Sequence, residues 1–183
     1  MARTPSNMML LGTNAPAFSL PDASLEKTYN LQDVKGDLGL LVMFICNHCP
    51  YVIHLQDELA SLGAYQSSGV GVVAISSNDV VNYPADAPDK MLEFAAELGF
   101  DFPYLYDESQ AVAKAYDAAC TPDFFLFDAN LRCVYRGRYD ASTPGNDESI
   151  TGRDLKGAIE ALVAGRPIDA DQHPSVGCNI KWK

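Results

Sequence analysis

Six apolar residues in unbroken succession, Leu40 to Ile45, run straight into Cys46-Asn47-His48-Cys49-Pro50. A strand with one solvated face alternates polar and apolar side chains. One that is apolar on both faces must be covered on both, as a central strand of a layered α/β domain is. Beyond the cysteines the period changes. Val52, Leu55, Leu59 and Leu62 recur at helical spacing, which predicts a helix over Tyr51 to Ser67. The two cysteines therefore stand where a buried strand turns into a helix.

The rest of the chain repeats this alternation. Val70 to Ile75 is a second wholly apolar strand, and Ala17 to Asp22 with Thr28-Tyr29-Asn30 reads as an N-terminal hairpin. Asp89 is positioned to cap a helix with an apolar face of Met91, Leu92, Phe94, Ala95 and Leu98, closed by Gly99. Phe102 to Tyr106 reads as extended, and Ser109 to Ala118 as helical. Phe124 to Phe127 and Cys133 to Gly137 form a hairpin about Asp128-Ala129-Asn130. Ile150 to Ala164 is the last helix, and 166–183 reads as irregular. The expectation is one α/β domain over 1–165, with 166–183 as a C-terminal extension packing on it.

Composition narrows the function. With 13 Lys and Arg against 24 Asp and Glu, the net charge is −11, which repels a phosphate backbone, so no nucleic-acid partner is expected. The longest apolar run, Leu38 to Cys46, falls far short of the roughly 20 residues of a membrane helix, so no membrane partner is expected either. Met1 to Pro16 lacks the apolar core of a secretory signal, and a cytoplasmic location is expected. In a reducing compartment, five cysteines read as buried fillers, metal ligands or redox catalysts rather than as bridges.

A helix N-terminus carries unpaired N–H groups and the positive end of the helix dipole, and both favour a thiolate. That argument assigns the lowered pKa and the attack to Cys46, with Cys49 about one turn on as the resolving thiol. A cationic His48 would favour the thiolate and make the pair more oxidising. His54 reads as an ordinary packed or surface histidine. The alternative chemistry is a Cu(I) or Zn site through Cys46, Cys49 and His48 or Cys178, although no second Cys-x-x-Cys completes a zinc set.

Far downstream, Thr121-Pro122 directly precedes the apolar strand Phe124 to Phe127. With the Cys-x-x-Cys, this resembles the thioredoxin superfamily, in which a cis-proline opens the strand beside the cysteines. The Phe18-Ser19-Leu20-Pro21-Asp22 entry and a helix-plus-strand insertion, Asp89 to Tyr106, are similar to its peroxiredoxin-like branch. That branch includes the alkyl hydroperoxide reductase/thiol-specific antioxidant family and the TlpA/ResA-type thiol-disulfide oxidoreductases. The resemblance implies a thioredoxin-like fold: a central mixed sheet with helices on both faces, the N-terminal hairpin and the insertion. It implies a cis bond before Pro122 and a Thr121 backbone free to pair with an extended substrate.

The departures matter. Ile45 and Asn47-His48 replace the Trp and Gly-Pro of thioredoxins, and residues 38–45 hold no acid to take the resolving thiol's proton, leaving His48 or His54 for that task. Against the peroxiredoxin pattern Pro-x-x-x-Thr-x-x-Cys, Val42 stands at the Pro and Cys46 at the Thr, with no evident Arg. The expectation is a thiol-disulfide oxidoreductase using Cys46 and Cys49, supported by Asn47, His48, Thr121 and Pro122. A peroxiredoxin-like antioxidant peroxidase is the alternative. Its partners would be protein or small-molecule disulfides, or peroxides; it would need no metal or cofactor, only an external thiol or reductase as electron donor. Cys120 reads either as a third redox thiol or as a filler, and Cys178 either as a resolving thiol or as part of a docked tail with Ile180 and Trp182. Cys133 reads as core or edge.

Overall fold

A computed structural model describes residues 3–183; residues 1 and 2, which the sequence reading included in the domain, lie outside the described residues. Strand β1 (Arg3–Pro5) leads to the hairpin β2 (Ser19–Pro21) and β3 (Thr28–Asn30), then to α1 (Leu31–Val34). Asn30 caps α1 through Gln32 and Asp33, and the Asp33 side chain returns the bond to the Asn30 amide. The apolar run becomes β4 (Gly39–Phe44), followed by α2 (Pro50–Ser61), a 3-10 turn over Leu62–Ser68, and β5 (Val70–Ser76). The insertion supplies α3 (Pro88–Leu98) and β6 (Tyr104–Tyr106), and α4 (Ala111–Ala115) follows. Then come β7 (Cys120–Thr121), β8 (Asp123–Asp128), β9 (Cys133–Gly137), α5 (Arg153–Val163) and β10 (Val176–Asn179).

The central sheet runs β6-β5-β4-β8-β9, with β4 parallel to β5, β5 parallel to β6, and β8 antiparallel to both β4 and β9. It is mixed, as the thioredoxin-like reading requires. Alternation along β4 divides the core. Leu41, Met43 and Ile45 join Val52, Leu55 and Leu59 of α2, Met91 of α3 and Leu155 of α5 on one face. Leu40, Val42 and Phe44 join Leu31 of α1, Val112 of α4 and Tyr116 just after it on the other. Helices thus cover both faces. Among the described residues no helix is long and apolar enough to cross a membrane.

Several details correct the sequence reading. The N-cap of α3 is Ala87, which offers no side chain to the helix, and Asp89 lies inside the first turn, where a carboxylate still favours the dipole. Gly99 does end α3, at φ +70. The helices expected over Ser109–Ala118 and Ile150–Ala164 shorten to α4 and α5, because Gln110 and Gly152 at their N-caps adopt left-handed backbone conformations. The tail is not irregular throughout. It contains β10, central in a second sheet of order β1-β10-β7.

Candidate active site

α2 begins at Pro50, so its N-cap is Cys49 and not Cys46. Pro50 has no N–H to offer. The Val52 amide donates to the Cys49 carbonyl at 2.9 Å and lies close to the Cys49 sulfur. Cys46 stands three residues earlier, at the end of the buried strand.

Both sulfurs converge on Thr121. The Cys46 sulfur lies 3.3 Å from Thr121 Oγ1, and the protonated Cys49 thiol donates to the Thr121 carbonyl at 3.2 Å. The peptide bond between Thr121 and Pro122 is cis. Cys46 and Cys49 are 1% and 0% exposed, so an incoming reactant meets neither sulfur without some cover moving.

The electrostatics favour ionisation of Cys49 over Cys46. Hydrogen bonding from the Cys46 thiol holds the pKa of Cys49 far below the ordinary thiol value, aided by the Cys178 thiol, the Val52 amide and Thr121 against the opposing effect of burial. As the donor to Cys49, Cys46 is pushed well above the ordinary value, and burial and the negative charge of Asp86 push it further. The expectation of a lowered Cys46 pKa is therefore corrected. Cys49, as the N-cap of α2, also lies nearer the first amides of the helix than Cys46 does, which works in the same direction.

Asp86 is the residue that sequence reasoning missed. Fully buried, it accepts from the Asn47 amide at 2.9 Å and from Asn78 Nδ2 at 2.8 Å, and it lies 2.7 Å from His48 Nδ1. His48 also stacks on Tyr83, with ring centroids 5.7 Å apart. Asn47 completes the pinning of the loop, donating to the Ala85 carbonyl and accepting from the Tyr104 hydroxyl. His48 therefore faces a carboxylate as well as the thiols. Cys46, His48 and Asp86 each offer a ligand atom within 4.8 Å of the others, a set able to hold a metal ion, with Asp86 in the place the sequence reading gave to Cys49.

The remaining candidates separate clearly. His54 lies 2.8 Å from the Ser142 hydroxyl, in a cleft shared with Tyr51, Pro122 and Val176. Burial pushes the thiols of Cys120 and Cys133 up, and each meets a backbone carbonyl, that of Pro122 and Tyr135 respectively. Cys178 is brought to the centre. It pairs with Thr121 across β10 and β7, so the Thr121 backbone expected to be free for substrate is already occupied. A second missed group is Asp123, directly after Pro122 and 1% exposed. Burial pushes its carboxyl well above the usual range. The Ala119 and Phe124 amides and the Ser175 hydroxyl approach it, but none reaches hydrogen-bond geometry.

Comparison with known proteins agrees with this architecture. The Redoxin family model matches residues 10–155. The structure of an uncharacterised conserved protein from Geobacillus kaustophilus is 53% identical, with a TM-score of 0.97 over 100% of this chain and 97% of that one. A Mycobacterium tuberculosis protein provisionally named a peroxiredoxin is 29% identical over 116 residues, 63% of this chain and 68% of its own. A Chlorobium tepidum protein provisionally named a thiol:disulfide interchange protein, 21% identical, shares the fold with a TM-score of 0.65, covering 85% of this chain and 99% of its own.

Proposed function

Because the chain belongs to the Redoxin family, we propose that it is a thiol-disulfide oxidoreductase in which Cys49 attacks and Cys46 resolves. The observation that carries this reading is the position of Cys49 at the N-cap of α2, with the Cys46 and Cys49 sulfurs both set against Thr121. The Cys49 thiolate attacks one sulfur of a substrate disulfide, forming a mixed disulfide and releasing the first substrate thiolate. Cys46 then gives up its proton and attacks the Cys49 sulfur, which expels the second substrate thiolate. Two electrons pass to the substrate, and the Cys46–Cys49 disulfide remains. An external thiol or reductase returns the electrons, and no bound cofactor takes part. Since β10 occupies the Thr121 edge, the preferred substrates are small disulfides rather than extended peptides.

The same N-cap thiolate supports a second reading, a peroxidase. There Cys49 attacks a peroxide oxygen, giving a sulfenic acid and an alcohol, and a second thiol closes a disulfide with loss of water. Disulfide exchange is preferred because none of the hydrogen-bond partners of Cys49 among the described residues is an arginine able to polarise a peroxide.

Parallel turnover assays test the choice. Hydroxyethyl disulfide should be reduced faster than hydrogen peroxide. Cys49→Ser should abolish both reactions, and Cys46→Ser should still make the first attack, forming a mixed disulfide at Cys49. Faster peroxide turnover, or a first attack that survives in Cys49→Ser, overturns the proposal.

A further inference from the structure

We infer that Cys178 is a second resolving thiol for Cys49, and that the disulfide it forms fastens the C-terminal strand over the site. The inference rests on the reading of Cys49 as the attacking thiol.

The geometry begins with strand pairing. β10 lies antiparallel to β7, with Cys178 opposite Thr121 and Asn179 opposite Cys120. On its other edge β10 pairs with β1, so Arg3 stands opposite Cys178. Gly177 makes the close approach possible, since a Cβ there would overlap the Thr121 carbonyl oxygen. That carbonyl is the same one that accepts from the Cys49 thiol. Cys46, Cys49 and Cys178 therefore meet around one residue, in one buried cluster. Cys178 is 3% exposed, and burial, with Cys49 beside it, raises its pKa and keeps it protonated in the resting state.

The tail is also tied to the catalytic loop. The Lys181 amide donates to Asn78 Oδ1, and Asn78 Nδ2 donates to Asp86, which holds the Asn47 amide. The Lys181 carbonyl accepts from the Asp79 amide and from Gln110 Nε2. A strand held at this many points sets Cys178 at a fixed place rather than leaving it on a loose arm.

The chemistry balances as before. Cys49 carries a substrate thiol as a mixed disulfide. Cys178 loses its proton to the departing thiolate, attacks the Cys49 sulfur, and forms Cys49–Cys178 while the substrate leaves reduced. Cys46 and Cys178 compete for one sulfur, so the oxidised protein has two isomeric disulfides.

The test uses reduced full-length Cys46→Ser treated with hydroxyethyl disulfide, alkylated, digested with trypsin and mapped without reduction. The expected product joins peptides 36–90 and 157–181 through Cys49 and Cys178. In Cys46→Ser/Cys178→Ser the mixed disulfide at Cys49 should persist roughly a hundredfold longer, because resolution then needs a second molecule of thiol. Wild-type protein run in parallel reports on the parent reading through its Cys46–Cys49 disulfide. If wild type closes that bond while Cys46→Ser keeps its mixed disulfide with Cys178 free, this inference alone is overturned. If wild type closes no intramolecular disulfide, the parent reading falls and takes this one with it.

Discussion

Two buried cysteines in this molecule have opposite chemistry. Cys133, on β9, is 1% exposed; its sulfur meets only the Tyr135 carbonyl at 3.6 Å, and burial pushes its pKa up to about 11. Cys49 is at least as buried, yet its pKa moves down. Both thiols lie against a backbone carbonyl, and the difference lies in the donors that only Cys49 has. Around Cys49 stand the first turn of α2, the Thr121 hydroxyl and the thiols of Cys46 and Cys178. Burial alone makes a thiol inert, and burial among oriented donors makes it a thiolate. Reactivity here is a property of the junction between β4, α2 and β7, and the far end of the β8–β9 hairpin has none of it.

Exchanging the two sulfurs gives the largest contrast. Cys49→Ser should lower disulfide turnover by at least about a thousandfold, as loss of a nucleophile does. Cys133→Ala should leave turnover within about twofold and cost roughly 1 kcal/mol of stability, seen as a lower denaturant midpoint. A Cys133→Ala protein that loses activity while keeping its fold would break the comparison.

The comparison sharpens at the His48–Asp86 pair, whose two members should shift the reduction potential in opposite directions. Removing His48 leaves the Asp86 charge unscreened beside the thiols, which destabilises the thiolate and hence the reduced form. The potential of His48→Ala should become more negative. Asp86→Asn removes the opposing charge and should make it more positive. Shifts of some tens of millivolts are expected, about 30 mV for each 1.4 kcal/mol in this two-electron couple. Redox titration against glutathione buffers measures both. Shifts of the same sign would contradict the electrostatic account.

How much of this was legible in the sequence depends on how far apart the partners lie along the chain. The covered strand β4 could be read from six consecutive apolar residues, and the β8–β9 hairpin from its Asp128-Ala129-Asn130 turn. The insertion of α3 and β6 followed from helical spacing closed by Gly99. Local pattern carried all of these. The partners of the thiols are remote: Asp86 is 39 residues from the Asn47 amide it holds, and β10 reaches β7 across the whole of α5. Val176-Gly177-Cys178-Asn179 contains a glycine and an asparagine and little strand propensity, so pairing with β7 and β1 makes it a strand. The start of α2 was legible to within one residue, but the contacts of the two sulfurs with Thr121, Asp86 and Cys178, which decide which one ionises, follow no local pattern.

The smallest expected effect tests burial without donors on a carboxyl group. Asp123 has a raised pKa in the folded protein, so between the ordinary aspartate value and that raised value the folded state holds a proton the unfolded state has lost. Stability therefore falls as pH rises through that window. Asp123→Asn should be more stable than wild type near neutral pH by about 1 kcal/mol, and the difference should vanish in acid below the ordinary aspartate value. Denaturant unfolding at the two pH values decides it, and an Asn variant that is less stable at neutral pH would mean that Asp123 has a charged partner.

The location of the thiolate is tested most directly by ultraviolet thiolate absorbance as a function of pH on the reduced protein, which needs no reagent to reach the buried sulfurs. Wild type should show one thiolate titrating well below the ordinary thiol pKa of about 8.5. That transition should disappear in Cys49→Ser. In Cys46→Ala it should remain but move upward, since the strongest donor to Cys49 is gone. An acidic transition that survives in Cys49→Ser and vanishes in Cys46→Ala would contradict the account and return the attack to Cys46.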